Sequence, residues 1–173
     1  HRDLKLENVL ISATGSCKLA DFGLAYEYVG ECEREMLYDV CGSKSYVAPE
    51  VLCQTGYDGY LADVWSLGIC LFATLTGFFP FTEAAAHNFY FASAQKQAAA
   101  YGSLTLAIFG LYGTSCSLSG RSVELLDHLL RISPAQRCST RDALALTWAT
   151  EASLDDQLEP IAVQIGAAAL PSR

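Results

Sequence analysis

The amino-acid sequence predicts a mainly α-helical fold with one small β-hairpin near the N-terminus. Residues 64–82 form an uncharged, apolar run, and residues 122–132 are amphipathic with helical spacing; both patterns indicate helices that pack against a core. Two short strand-like segments, 8–11 and 17–20, flank the turn-like residues 13–16 and predict the hairpin. A chain of 173 residues is long enough to bury a substantial core as one domain.

The segment after the hairpin changes from irregular to helical. Residues 21–50 are polar and without periodicity, as expected of a long functional loop. Asp58 is a candidate N-cap for a helix over residues 60–76, because Gly77 stands just past its end and Pro80 lies beyond.

The C-terminal half predicts three more helices and one loop. Residues 87–100, rich in Ala and Gln, predict a helix, whereas the uncharged, Gly- and hydroxyl-rich residues 101–120 predict a loop. The amphipathic segment has an apolar face formed by Val123, Leu126, Leu129 and Leu130. A short helix is predicted for residues 140–148, and the Ala-rich tail after about Glu159 carries no clear signal.

Composition excludes some function classes. A net charge of −8 argues against a nucleic-acid partner, since phosphate binding needs a basic face. The seven cysteines are scattered, without C-x-x-C pairs or zinc spacing, which indicates reduced thiols in a cytoplasmic or nuclear protein. Residues 64–82 would pass a hydropathy screen, but Gly68, Gly77 and Pro80 and the lack of basic flanks favour a buried helix, so we expect no membrane span. Because residue 1 is not Met, the natural protein is expected to begin upstream.

Three short motifs carry most of the functional information. Residues 1–8 read HRDLKLEN, residues 21–23 read DFG, and residues 48–50 read APE. In this order and spacing they resemble the catalytic loop, the metal-binding motif and the end of the activation segment of a protein kinase. The resemblance covers about residues 1–150, a partial protein kinase domain; it implies the helical C-lobe with the N-lobe absent. We treat residues 151–173 as a C-terminal tail, expected to be disordered.

The resemblance implies roles for the residues of these motifs. Asp3 would accept the proton of the substrate hydroxyl and orient it, and Lys5 would stand near the transferred phosphate, as in Ser/Thr kinases. Asn8 and Asp21 would bind Mg²⁺, because amide and carboxylate oxygens are hard ligands. The implied cofactors are therefore ATP and Mg²⁺, and the implied partner is a protein substrate with Ser or Thr.

The activation segment carries further candidates. Residues 41–50 resemble the substrate-docking loop of Ser/Thr kinases, in which Ser43 would bond Asp3 and Lys5, although Ser43 also fits a plain turn. Lys44 departs from the proline common at its position. In such kinases the arginine at the position of Arg2 often holds a phosphorylated residue of the activation segment. The position of that phosphorylated residue is occupied here by Asp39. We hypothesise that Asp39 is a built-in anion for Arg2; the alternatives are a solvated loop charge, or phosphorylation at Tyr38 or Ser43.

A last group has structural roles by resemblance. Asp63 would bond the backbone of the catalytic loop, and Glu50 and Arg137 would form a buried ion pair. His1 would pack under Phe22. The likeness ends at Trp148.

Two functions compete at this stage. In the first, the parent protein phosphorylates Ser/Thr in proteins using ATP and is most like the calcium/calmodulin-dependent and AMP-activated kinase group. This chain has no Gly-rich loop and no V-A-I-K lysine, so it is expected to be inactive alone. In the second, the chain is a truncated, inactive kinase-like scaffold or interaction module. The substrate, the upstream regulators and calmodulin dependence are not assigned by the sequence.

Overall fold

The computed structural model describes residues 1–29 and 35–146. A 3-10 turn, Leu6–Asn8, leads into a two-stranded antiparallel sheet, and irregular chain connects this sheet to a helical body. The elements in chain order are β1 (Val9–Ile11), β2 (Cys17–Leu19), α1 (Pro49–Leu52), α2 (Gly59–Thr76), α3 (Phe89–Tyr101), α4 (Leu104–Leu111), α5 (Gly120–Leu129) and α6 (Thr140–Ala145). The predicted fold class, mainly helical with one N-terminal hairpin, is confirmed.

The hairpin lies between the first two motifs in the sequence. Val9 pairs with Leu19 and Ile11 with Cys17, so residues 1–8 and the DFG motif emerge at the same end of the two strands. Gly15 closes the turn with φ of 80°, in the left-handed region that favours glycine. The strands therefore bring the two motifs together.

Helix α2 forms the centre of the molecule. The Asp58 side chain accepts hydrogen bonds from the main-chain N–H groups of Tyr60 and Leu61, and Gly77 ends the helix with φ of 77°. Trp65, Ile69 and Phe72 are fully buried. Among the described residues α2 has the length and hydropathy of a membrane span, but 56% of it is buried inside the protein, as in the core helix that we predicted.

The loop predicted for residues 101–120 is wrong, because α4 lies within it. Gly102, with φ of 67°, ends α3, and Ser103 starts α4 by accepting a hydrogen bond from the N–H of Leu106. Leu104 and Ile108 then enter the core. The uncharged composition reflects burial, and the hydroxyl that indicated a loop is a helix cap.

Helices α5 and α6 complete the body. The predicted apolar face of α5 is correct for Leu126, Leu129 and Leu130, but Val123 is only half-buried and Leu125 is buried instead. Helix α6 begins with a reciprocal capping box between Ser139 and Asp142. Residues 147–148 of the predicted helix, Trp148 among them, and the 151–173 tail lie outside the described residues.

Candidate active site

The loop of residues 1–8 is anchored to the central helix. Asp63 on α2 accepts a hydrogen bond from the Arg2 N–H at 2.9 Å through Oδ1, and its Oδ2 lies 2.8 Å from the main-chain nitrogen of His1. At the other end of the loop, the buried Asn8 side chain donates to the carbonyl oxygen of Asp3 at 3.0 Å. Arg2 has φ of 66°, an uncommon conformation for a non-glycine residue, and the Asp63 contact holds it.

Asp3, Lys5 and Ser43 form a hydrogen-bonded triangle. Lys5 Nζ donates to Asp3 Oδ2 at 2.7 Å and to Ser43 Oγ at 3.1 Å, and the Ser43 N–H donates to Asp3 Oδ1 at 2.8 Å. The Ser43 hydroxyl thus contacts Lys5, while its main chain contacts Asp3. The structure therefore brings together residues that are about 40 positions apart in the sequence.

This triangle sets the ionisation of its members. Burial raises the pKa of Asp3, but the hydrogen bonds from Lys5 and Ser43 outweigh burial and lower the pKa below the ordinary aspartate value. The hydrogen bond to Asp3 raises the pKa of Lys5. At neutral pH the pair is therefore a carboxylate and an ammonium, and Asp3 keeps the capacity to accept a hydrogen bond.

Asn8, just before β1, and Asp21, just after β2, offer side-chain oxygen atoms at the same end of the hairpin. The Asn8 amide nitrogen donates to the Asp3 carbonyl, so the Asn8 amide oxygen remains available as an acceptor. Asp21 is exposed, with φ of 62°, and its Oδ1 accepts a long hydrogen bond of 3.4 Å from the Gly23 N–H. Within residues 1–29 and 35–146 no three His, Cys, Asp or Glu side chains form a metal-binding group. Two oxygen donors nevertheless fit Mg²⁺, which usually takes one or two protein ligands and completes its shell with phosphates and water.

His1 and Phe22 pack beside this loop. Their ring centroids are 4.8 Å apart with planes inclined by 51°, and His1 Nε2 lies 3.0 Å from the carbonyl oxygen of Ala20. These contacts tie His1 to Phe22 of the DFG motif and to Ala20 just before it, which is a packing role.

Arg2 faces the activation segment. Its Nε donates to the Leu24 carbonyl at 2.6 Å, and its Nη1 lies 3.6 Å from Asp39 Oδ2. Nη1 is buried and makes no hydrogen bond with any described residue, while the Asp39 side chain is 86% exposed. Tyr57 supports this contact, since its hydroxyl donates to the Asp39 carbonyl at 2.8 Å.

Sequence reasoning missed Tyr57, and it gave Glu7 and Tyr46 no role. Tyr57 also pairs with Leu37 in an isolated β-bridge that holds the activation segment against the start of α2. The buried Tyr46 donates its hydroxyl to Glu7 Oε2 at 3.2 Å, which connects the docking loop to the catalytic loop. Glu7 stood within a recognised motif, but no local pattern marks either tyrosine.

A buried ion pair closes the base of the site. Arg137 Nη1 and Nη2 donate to Glu50 Oε1 and Oε2 at 2.6 and 3.1 Å, and Nη1 also donates to the Leu61 carbonyl at 2.6 Å. The guanidinium lies 5.3 Å from the ring centroid of Trp65. Removing one partner of such a pair costs about 3–5 kcal/mol, so this contact fixes α1, and with it the end of the activation segment.

Comparisons with known proteins show what this chain is similar to. The family model described as protein kinase domain matches residues 1–149. CBL-interacting serine/threonine-protein kinase 17 of Arabidopsis thaliana is 52% identical over 84 residues, which is 49% of this chain and 19% of the relative. CBL-interacting protein kinase 3 of Oryza sativa subsp. japonica is 35% identical over 150 residues, which is 86% of this chain and 30% of the relative. The chain therefore spans less than a third of either relative.

Proposed function

Because this chain belongs to the protein kinase domain family, we propose that it carries the catalytic loop and the docking segment of an enzyme that phosphorylates Ser and Thr in proteins. The observation that carries this proposal is the triangle of Asp3, Lys5 and Ser43, which joins a carboxylate and an ammonium at 2.7 Å. The names of the relatives, serine/threonine-protein kinases among them, support the same substrate class.

Asp3 acts on the substrate hydroxyl. An Asp3 carboxylate oxygen accepts the hydrogen bond of the Ser or Thr hydroxyl, aligns its oxygen for attack, and receives its proton. The lowered pKa keeps Asp3 in the accepting form at neutral pH. Lys5 is already within hydrogen-bond distance of Asp3 and places a positive charge where negative charge develops during transfer. Positioning and charge stabilisation account for most of the catalysis of phosphoryl transfer.

Asn8 and Asp21 would hold Mg²⁺ together with ATP. The metal–nucleotide complex, when bound, supplies the phosphoryl group and neutralises its charge. Asp63 is a positioning residue, since it fixes the main chain of the catalytic loop without reaching the substrate.

The test is a transfer assay on the full-length protein that carries this chain. With labelled ATP, Mg²⁺ and Ser-, Thr- or Tyr-containing peptides, we expect label on Ser and Thr. Asp3→Asn should lower kcat by about 10²-fold or more, the contribution of a positioned general base. Glu124→Gln, a remote exposed carboxylate on α5, is the matched control and should retain full activity. Full activity in Asp3→Asn would refute the assignment. A wild-type protein that transfers no phosphate would favour the alternative, an inactive kinase-like scaffold.

We further propose that Asp39 serves as the anion for Arg2 in the unphosphorylated segment. The buried, unbonded Arg2 Nη1 at 3.6 Å supports this role. Because Asp39 is exposed, the interaction is modest, so Asp39→Ala should lower the activity of phosphatase-treated enzyme about two- to fivefold and Asp39→Glu should not. Undiminished activity in Asp39→Ala would leave Tyr38, which is exposed, and Ser43 as candidate phosphosites.

The proposed partners are ATP and a protein substrate, and the proposed location is the cytoplasm or nucleus. Six cysteines of the described chain are free thiols, which supports a reducing compartment. Localisation of a tagged full-length protein by fluorescence microscopy tests this; a secreted product would contradict it.

A further inference from the structure

Lys44 occupies a turn that does not require a lysine. The Tyr46 N–H donates to the Ser43 carbonyl at 2.8 Å, which closes a β-turn with Lys44 at its second position. That position accepts most residues and favours proline, and the Lys44 N–H makes no hydrogen bond with the described residues. Backbone geometry therefore does not explain the presence of a lysine at position 44.

The turn is fixed on both sides of Lys44. Ser43 is bonded to Asp3 and Lys5, and Ser45 Oγ donates to the Thr82 carbonyl at 3.2 Å. The main chain of Lys44 is therefore held one residue from the group that contacts the proposed base. A substrate whose hydroxyl Asp3 orients would therefore pass close to residue 44.

The ammonium of Lys44 has no protein partner among the residues that the structure describes. The side chain is exposed and takes part in no hydrogen bond or ion pair there, whereas Lys5 Nζ lies 2.7 Å from Asp3 Oδ2. An unpaired cation on a loop that is hydrogen-bonded on both sides is available to a bound substrate. Its natural counterpart is an anion.

We propose that Lys44 is a specificity-determining residue that selects an anionic side chain, a carboxylate or a phosphate, directly beside the phosphoacceptor Ser or Thr. This inference rests on the proposed function, because Asp3 defines where the acceptor lies. The contact is exposed, so its effect on peptide binding is about two- to fivefold and declines as salt is raised.

The experiment measures peptide binding and phosphate transfer separately on the full-length protein. Fluorescein-labelled peptides place Ala, Asp, phosphoserine or Lys on either side of a single acceptor Ser, and fluorescence anisotropy gives each Kd at low and high salt. Wild type should bind the Asp and phosphoserine peptides about two- to fivefold more tightly than the Ala peptide. Lys44→Pro keeps the turn and should remove this preference. Lys44→Glu should reverse it toward the Lys peptide. Lys96→Glu makes the same charge change on an exposed residue of α3 and should leave the preference intact.

The outcomes separate this inference from the proposed function. The role of Lys44 is overturned if wild type shows no preference for anionic peptides. It is also overturned if wild type, Lys44→Pro and Lys44→Glu show the same preference, even if phosphate is transferred. A preference that follows the charge at residue 44 without any transfer supports Lys44 as an anion-binding residue, and refutes both the kinase activity and its specificity role in phosphorylation. A preference for both the Asp and the phosphoserine peptides means that Lys44 selects acidic sequences. A preference for the phosphoserine peptide alone means that it selects substrates already phosphorylated beside the acceptor. The reversal in Lys44→Glu is a gain of binding, so a misfolded variant cannot produce it.

Discussion

Lys5 helps to lower the proton affinity of Asp3. The hydrogen bonds from Lys5 and Ser43 overcome the effect of burial and lower the pKa of Asp3. A depressed pKa means that the carboxylate form is present at neutral pH and is lost only as the pH falls through the lowered value. Removing Lys5 takes away part of the lowering, so protonation should then begin at a higher pH.

We therefore expect Lys5→Met to shift the acidic limb of the kcat/KM profile toward higher pH. The full-length enzyme is assayed between about pH 4 and 8, with the profile fitted separately from the overall loss of rate. Lys5→Arg keeps the cation and should retain the wild-type limb, and Lys96→Met, on α3, is a remote control. An acidic limb that does not move in Lys5→Met would mean that Lys5 does not set the pKa of Asp3.

At the residue scale, the side chains of the motifs were predictable and the main-chain contacts were not. The resemblance to protein kinases, carried by the motifs, implied that Asp3, Lys5 and Ser43 share one site, because each carries its chemistry on a recognisable side chain. The bond from the Ser43 N–H to Asp3 could not be predicted, since every residue has such a group. Tyr57 was missed for a related reason, because its hydroxyl bonds to a main-chain oxygen and no side-chain pattern marks it.

At the element scale, Gly68 permits the close approach of α2 and α5. A Cβ atom at Gly68 would lie 2.7 Å from Leu130 Cδ2 and 3.0 Å from Leu129 Cβ. Adding a methyl group to such a contact costs about 1–3 kcal/mol, which exceeds the gain of up to about 1 kcal/mol from replacing glycine in a helix. Gly68→Ala should therefore lower the Tm of the full-length protein by a few degrees, as measured by differential scanning fluorimetry.

Gly120→Ala is the matched control for this prediction. Gly120 is also helical, at the start of α5, and a Cβ atom there meets nothing within 4 Å. The control should leave the Tm unchanged or raise it slightly. If Gly68→Ala behaved like Gly120→Ala, the packing of α2 on α5 would not depend on the absence of a side chain.

Helix prediction succeeded where capping residues in the sequence mark the ends of a segment that is also apolar enough to be buried. Helix α2 has Asp58 before it and Gly77 after it, and its long apolar run also predicts a helix. Helix α4 has an N-cap as well, but Ser103 stands among other hydroxyl residues and glycines. Only its packing against α3 and α5 distinguishes it from a loop, and those contacts are tertiary.

At the scale of the whole molecule, apolar surface is distributed unevenly. The core surrounds α2, whereas both faces of the hairpin lie open: Leu10, Leu19 and Ile11 are 54%, 51% and 75% exposed, and Phe22 nearby is 60% exposed. A two-stranded hairpin has little stability of its own, and exposed apolar side chains concentrated at one end of a soluble protein mark a surface that associates with other molecules. The isolated chain should therefore self-associate through this end.

We expect the 173-residue chain, expressed alone, to form oligomers at micromolar concentration, and the double variant Leu10→Ser/Ile11→Ser to reduce them. Size-exclusion chromatography with light scattering gives the mass, and a fluorescent probe of apolar surface should bind the double variant less. Leu144→Ser, on α6, removes an equally exposed leucine from the opposite part of the chain and should change neither result. A monomeric wild-type chain, or a double variant that associates as strongly as wild type, would show that the open hairpin does not govern the solution behaviour of the molecule.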